Sequence, residues 1–246
     1  MKKCFLFDVD GTLTPPRESI NATFSIFWEE WVKKTLKKGD KVFLITGSDL
    51  PKLKEQIKQS SLNKCSGYFC CMGNEYYSKE KLIYQTYNSH LNEGGQIEKW
   101  LNAQLEKNEY SEKFPPHIEF RTGMINFSFV GRGCSTDQRR VYNEWDKENE
   151  QRQKASQLFN DTFKEEGFES FVGGEISIDI QAVNFDKRQS LKYLKEQYGY
   201  LDFIFFGDKC NKSGNDYSIF KECKQANRWH VKDWKNTFEI LAENYS

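Results

Sequence analysis

The sequence predicts an α/β fold: a doubly wound, Rossmann-like parallel sheet interrupted by an inserted α+β domain. Three observations carry this. Short apolar runs alternate with helical stretches at both ends of the chain, the pattern of parallel strands with helices on both faces. Between about residues 82 and 183 the pattern changes to hairpins and a strand of two-residue alternation, which suggests an antiparallel sheet covered on one face. From Phe185 the first pattern resumes. The expected division is a core of 1–81 and 184–246 with an insertion of 82–183.

Element by element, Cys4–Phe7 is a buried strand delivering the polar loop Asp8-Val9-Asp10-Gly11-Thr12. A helix over about Ser19–Leu36 follows, then strand Lys41–Ile45 and the loop Thr46-Gly47-Ser48. Asp49 is placed to cap the next helix, with Pro51 tolerated in its first turn. Tyr68–Cys71 reads as a third strand. In the insertion a helix over about Glu93–Lys107 precedes a hairpin of Ile118–Arg121 and Met124–Val130 turning at Thr122-Gly123. A long helical stretch begins at Ser135, where Gln138 three residues on completes a capping box. Strand Ile176–Ala182, a helix from Asp186, strand Phe203–Phe206 and the Gly207-Asp208 loop close the pattern.

Composition narrows the function. Lys+Arg and Asp+Glu both total 36 of 246 residues, so net charge supplies no reason for a nucleic-acid or anionic-membrane partner. No run approaches the roughly 18–20 apolar residues a membrane span needs, and the apolar run Phe5–Phe7 is too short for a secretory signal. Seven cysteines, with no Cys-x-x-Cys pair, suit free thiols in a reducing compartment. The expectation is a cytoplasmic protein.

The chemistry concentrates at strand ends, where open α/β sheets place their ligands. Asp8 can attack phosphorus and form an acyl phosphate. Asp10, two residues on, can serve as general acid and then base, and Gly11 lets the loop approach a phosphate. A second acidic group, Asp208 with Asn215-Asp216, follows the last strand. An aspartate and a phosphate repel unless a cation intervenes, and Mg²⁺ prefers hard oxygen ligands. Asp8, Asp10 through its carbonyl, and Asp208 make a minimal set, with Asp216 or Asn215 behind them. Thr46 and Ser48 offer hydroxyls to a phosphate. Lys187, expected in the first turn of a helix, can balance the charge of a phosphoaspartate.

These motifs extend to a wider resemblance. The segments Phe7–Thr14 with Arg17, Ile118–Asn126, Gly131–Cys134, Asp146–Asn149, Gly173–Asp179, Asp186-Lys187 and Phe205–Lys209 resemble the haloacid-dehalogenase-like phosphotransferases, and among them the eukaryotic-type phosphomannomutases. The resemblance implies Asp8 as nucleophile, Asp10 as acid/base, and Mg²⁺ on Asp8, Asp10 and Asp208. It implies hexose-phosphate contacts from Arg17, Arg121, Arg132, Arg139, Ser177 and Asp179, and activation by a hexose 1,6-bisphosphate. It also implies an insertion that closes over the core as a cap, a homodimer through caps, and a further cation site on Phe220, Glu222 and Gln225. The sequence departs from the family at Cys71-Met72-Gly73-Asn74, Phe129 and Lys212-Ser213-Gly214, away from the chemical residues.

The arginine fork binds phosphate bidentately, so Arg121, Arg132 and Arg139 suit a receptor for a second phosphate. Ser177 and Asp179 lie two apart and share one strand face with Glu175. A mutase needs such a receptor; a sugar-phosphate phosphatase on the same fold does not, and a non-catalytic sugar-phosphate sensor has no use for an attacking carboxylate.

Overall fold

The computed structural model describes residues 2–86, 91, 94–199 and 202–245. Seven strands form the core sheet, β1 (Lys3–Phe7), β2 (Lys41–Ile45), β3 (Gly67–Cys70), β4 (Glu75–Ser78), β5 (Lys81–Gln85), β10 (Asp202–Gly207) and β11 (Arg228–His230). Their order is β11-β10-β1-β2-β3-β4-β5, parallel from β11 to β3 and antiparallel thereafter. Alternate residues of each parallel strand enter two different cores. Phe5, Phe7, Val42, Leu44, Ile204 and Phe206 pack on one face; Cys4, Leu6, Phe43, Ile45, Phe203 and Phe205 pack on the other. Burial on both faces explains why these strands read as continuous apolar runs.

Helix α1 (Ala22–Lys37) starts three residues later than the sequence suggests, because Asn21 accepts hydrogen bonds from the N–H groups of Thr23 and Phe24 and caps it. Its Phe24, Trp28, Trp31 and Val32 lie on the first core face, with the Trp28 ring edge-on to Phe7 at 4.9 Å. α2 (Leu50–Gln56) is capped by Asp49, which accepts from Lys52 N–H, and the short α3 (Gln59–Leu62) follows. The β4–β5 hairpin was not evident in the sequence. It turns at Lys79 and Glu80, both at positive φ, the primed-turn geometry usually built with glycine or asparagine. β5 carries the core sheet to Gln85, so residues 82–85 lie with the core and the expected boundary at 82 moves past them.

The insertion holds α4 (Gln96–Glu106), β6 (Ile118–Arg121), β7 (Met124–Phe127), α5 (Thr136–Asn149), α6 (Gln151–Phe163), β8 (Phe168–Gly173) and β9 (Ser177–Ala182). Glu93, the expected start of α4, lies outside the described residues. The four strands form an antiparallel sheet of order β6-β7-β9-β8, and the helices bury its other face around Phe127, Tyr142, Phe159 and Ile178. The capping box of Ser135 and Gln138 is present. The long helical stretch is two helices, broken where Glu150 turns left-handed at φ 53°. β9 is buried along its whole length, since its polar residues face the core domain rather than water.

Three further helices complete the core: α7 (Gln189–Tyr198), α8 (Tyr217–Glu222) and α9 (Trp234–Asn244). The helix expected from Asp186 begins at Gln189, and Lys187 sits in the turn before it. All seven cysteines are free and buried, and among the described residues no helix is long and apolar enough to cross a membrane.

Candidate active site

The parallel strands β1, β2 and β10 end side by side, so the loops after Phe7, Ile45 and Gly207 share one mouth. The Asp8 N–H donates to Phe206 carbonyl at 2.9 Å, extending the β1–β10 pairing into the loop. Gly11 sits at φ +84°, and a Cβ there would lie 2.6 Å from Asp208 Oδ2. Glycine is required for both reasons.

Asp8, Asp208 and Asp216 bring carboxylate oxygens within 4.8 Å of one another. The fully buried Lys187 donates to Asp8 Oδ1 and Asp216 Oδ1, each at 2.6 Å. Thr12 Oγ1 donates to Asp8 Oδ2 at 3.2 Å. Burial pushes Asp8 well above the usual carboxylate range; Lys187 opposes this, while Asp216 and Asp208 reinforce it. Asp208 is pushed up to about 6 by burial first, Lys209 pulling it down and Asp216 pushing it up. Lys187 stays charged despite burial, because Asp216 and Asp8 raise it further than burial lowers it. Both oxygens of Asp216 are engaged, by Lys187 and by the Lys209 N–H at 3.1 Å.

The Asp10 side chain is outside this cluster. Its Oδ1 accepts from Arg17 N–H at 3.0 Å and Gln56 Nε2 at 2.8 Å, and its Oδ2 faces the Ser48 hydroxyl at 3.4 Å. Of the residues expected to hold a cation, Asp10 therefore keeps its carboxylate apart from the acidic cluster. Thr46 is buried at the end of β2, its Oγ1 accepting from Ser48 N–H at 3.0 Å.

The cap supplies the opposite wall of the same cavity, which Asp8, Asp10, Arg17, Thr46, Ser48, Arg121, Arg132, Arg139, Glu175, Ser177, Asp179 and Asp208 all line. Arg121, at the β6–β7 turn, donates to Gly47 carbonyl at 2.7 Å and to Glu119. Arg132 and Arg139 flank the start of α5. Arg17 Nη1 and Arg132 Nε are buried without a hydrogen-bond partner among the described residues. Burial and the neighbouring Arg121 guanidinium push Arg132 down to about 10, and burial lowers Arg139 as well. Crowded, desolvated guanidiniums with unused donors are what an anion would relieve.

Asp179 is held by two asparagines, Asn126 of β7 at 2.7 Å and Asn215 of the core at 3.0 Å. Asn215 thus ties core to cap. A Cβ on Gly173 would lie 2.2 Å from Asp179 Oδ2, so only glycine admits that carboxylate. Ser177 Oγ donates to the Gly173 carbonyl at 3.2 Å. The residues expected to hold a further cation lie elsewhere, Phe220 and Glu222 in α8 and Gln225 just beyond. The Phe220 ring receives the Arg228 guanidinium at 4.8 Å.

A family model described as eukaryotic phosphomannomutase matches residues 29–246. The chain belongs to the eukaryotic phosphomannomutase family. A phosphomannomutase of Dendrobium officinale is 34% identical over 220 residues, covering 88% of this chain and 84% of its own. One of Saccharomyces cerevisiae is 32% identical over 247 residues, covering 98% and 93%. Among solved structures, a Bacteroides thetaiotaomicron phosphatase of the HAD superfamily matches with a TM-score of 0.58 at 14% identity, covering 98% of this chain and 94% of that one. That likeness shows the shared fold.

In this phosphomannomutase-family chain, sequence reasoning missed Gln56, Asn126 and the Lys52–Glu119 pair. Lys52 of α2 reaches Glu119 of β6 across the domain boundary. Nothing local marks the role of Gln56 or the cross-domain role of Lys52, since Asp10 lies 46 positions from the one and Glu119 lies 67 from the other. Asn126 did carry a signal: it lies directly across from Asp179 in the β7–β9 register.

Proposed function

We propose that this chain interconverts mannose 6-phosphate and mannose 1-phosphate through a phosphoaspartate on Asp8 and a bound hexose 1,6-bisphosphate. The observation that carries the reading is one cavity with a nucleophile and acidic cluster on its core side and crowded arginines on its cap side.

An Asp8 oxygen attacks phosphorus, and the bond from phosphorus to the sugar oxygen breaks with its electron pair left on that oxygen. Asp10 gives the oxygen a proton. In the other half, which comes first in each turnover, the free hydroxyl of a hexose monophosphate gives its proton to Asp10 and attacks the phosphoaspartate. This restores the Asp8 carboxylate and forms the 1,6-bisphosphate, which turns around before Asp8 attacks its other phosphorus. Arg17, Arg121, Arg132 and Arg139 hold whichever phosphate is away from Asp8, Ser177 and Asp179 meet sugar hydroxyls, and Thr46 and Ser48 flank the phosphate in transfer. Lys187 opposes protonation of Asp8 and aims its carboxylate. A hexose 1,6-bisphosphate activates the enzyme by phosphorylating Asp8.

The donor set fits Mg²⁺: three clustered carboxylates face one fully buried ammonium, which leaves excess negative charge among hard oxygens. Asp8 and Asp208 would hold the ion with the Asp10 carbonyl, and Asp216 would act behind them through Lys187. When bound, Mg²⁺ supplies neutralisation of the repulsion between carboxylate and phosphate.

A homodimer through the cap is supported by Val141 and Leu158, apolar residues about half exposed on α5 and α6. Seven buried free thiols suit the cytoplasm.

The test is a coupled assay of mannose 1-phosphate with Mg²⁺, with and without hexose 1,6-bisphosphate, following 6-phosphate and free phosphate together. Isomer that increases with bisphosphate supports the mutase. Phosphate release with no isomer, even with bisphosphate present, would replace it with a sugar phosphatase.

A further inference from the structure

Asp8 and Asp10 are two residues apart, yet their carboxylates enter different surroundings. Asp10 Oδ1 is taken by two donors, the Arg17 N–H and the amide Nε2 of Gln56. Oδ2 accepts from the Ser48 hydroxyl at 3.4 Å, and Asp10 and Ser48 both line the cavity. Gln56 is the last residue of α2 and is only 2% exposed. Its Nε2 also reaches Thr14 Oγ1 at 3.1 Å. Its own Oε1 is buried without a hydrogen-bond partner among the described residues. An ionised carboxylate oxygen rejects the amide oxygen, so only the nitrogen can face Asp10. A buried amide that spends its donors and leaves its acceptor unpaired costs stability. Such a side chain is better explained by what it orients than by what it stabilises.

We propose that Gln56 is a positioning residue for proton transfer, holding Asp10 by Oδ1 so that Oδ2 is the oxygen that carries the proton to and from the sugar. The inference rests on Asp10 being the acid/base. Both N–H donors converge on Oδ1, so a proton there would oppose two N–H groups. A proton on Oδ2 meets no N–H group, only the Ser48 hydroxyl at 3.4 Å, which can turn to accept it, and it sits on a carboxylate that lines the cavity. Without the Gln56 amide, Asp10 keeps its chemistry but loses one of the two restraints on its aim, and misplacement of a catalytic group is costly.

The test uses Gln56→Met, which keeps length without a donor, and Gln56→Leu, which keeps bulk without a donor. Asp10→Asn and the double variant Asp10→Asn/Gln56→Met complete a cycle. Two quantities are read: kcat and KM for mannose 1-phosphate, and the burst of aryl alcohol when p-nitrophenyl phosphate phosphorylates Asp8, a step whose leaving group needs no proton. Each Gln56 variant is expected to lower kcat for mannose 1-phosphate about 10- to 100-fold, with KM and the aryl burst each within about threefold of wild type. In the Asp10→Asn background, Gln56→Met should cost less than about twofold. Thermal melts establish that each variant is folded, and Gln56→Leu carries the test if Gln56→Met is not. Equal losses on both substrates, no loss on either, or a Gln56→Met loss that persists undiminished beside Asp10→Asn would each overturn the proposal. Asp10→Asn that slows both substrates alike would instead remove the acid/base reading, and the inference with it.

Discussion

The Lys187 ammonium lies 2.6 Å from the Asp8 carboxylate, with Asp216 at 2.6 Å on the same nitrogen. The Asp8 carboxylate, the proposed nucleophile, is therefore fixed in direction by a buried cation that is itself fixed by a second aspartate. Burial alone would favour a protonated, inert Asp8; the lysine opposes that.

Asp8→Asn should abolish turnover while the fold survives, because an amide cannot attack phosphorus. Turnover in the coupled assay above about a hundredth of wild type, a barrier change of only about 2.7 kcal/mol, would remove Asp8 from the nucleophile's role. Circular dichroism of the variant checks the fold.

A divalent cation should stabilise the chain through Asp208. At about a hundred times its dissociation constant, an ion bound only to the folded state adds about 2.7 kcal/mol. Thermal melts with Mg²⁺ and with chelator should show this increment in the wild type and lose it in Asp208→Asn. The same increment in both would place the ion elsewhere.

The cap arginines should act on the distal phosphate. Arg132→Ala or Arg139→Ala is expected to weaken hexose phosphates and bisphosphates about 10- to 150-fold, the equivalent of a charge-assisted contact of about 1.5–3 kcal/mol. Hydrolysis of a small aryl phosphate should barely change, and the ratio of phosphate released to isomer formed should rise as the cap admits water. Uniform losses on hexose and aryl phosphates would show that these arginines serve the reacting phosphate or the fold.

Glu119 should make stability depend on acid. Burial would raise its carboxyl, but Arg121 and Lys52 outweigh burial and hold it at about 2, against an ordinary 4.5. A depressed value means the ionised form stabilises the fold above the ordinary value, and that this contribution is lost as pH falls from about 4.5 through about 2. Glu119 is one-quarter exposed, so solvent screening reduces its worth to about 1–2 kcal/mol. Urea unfolding of wild type and Glu119→Gln should show that gap near pH 6 and its closing toward pH 3. A gap that ignores pH would mean the ion pairs contribute nothing.

Much of the architecture was legible because its signals are local. The Asp49 cap, the Ser135–Gln138 box and the turn at Thr122-Gly123 each act within a few residues. β4, β5, β8 and β11 left no such trace: β5 and β11 are the sheet's edge strands and β4 adjoins β5, so mixed exposure blurs their alternation, and β8 is only intermittently buried.

The sequence by itself determined the chemical inventory: Asp8 and Asp10 on a strand-end loop, Asp208 and Asp216 on another, and arginines in the insertion. Only the tertiary structure decided how these groups are partnered. Lys187 bridges Asp8 from 179 positions away, Asn215 crosses from core to cap to hold Asp179, and Gln56 turns Asp10 away from the acidic cluster. Contacts between distant segments leave no periodicity in the chain. They depend on which strand ends adjoin and where the cap rests, and a carboxylate's surroundings then set whether it attacks, carries a proton or holds a neighbour in place.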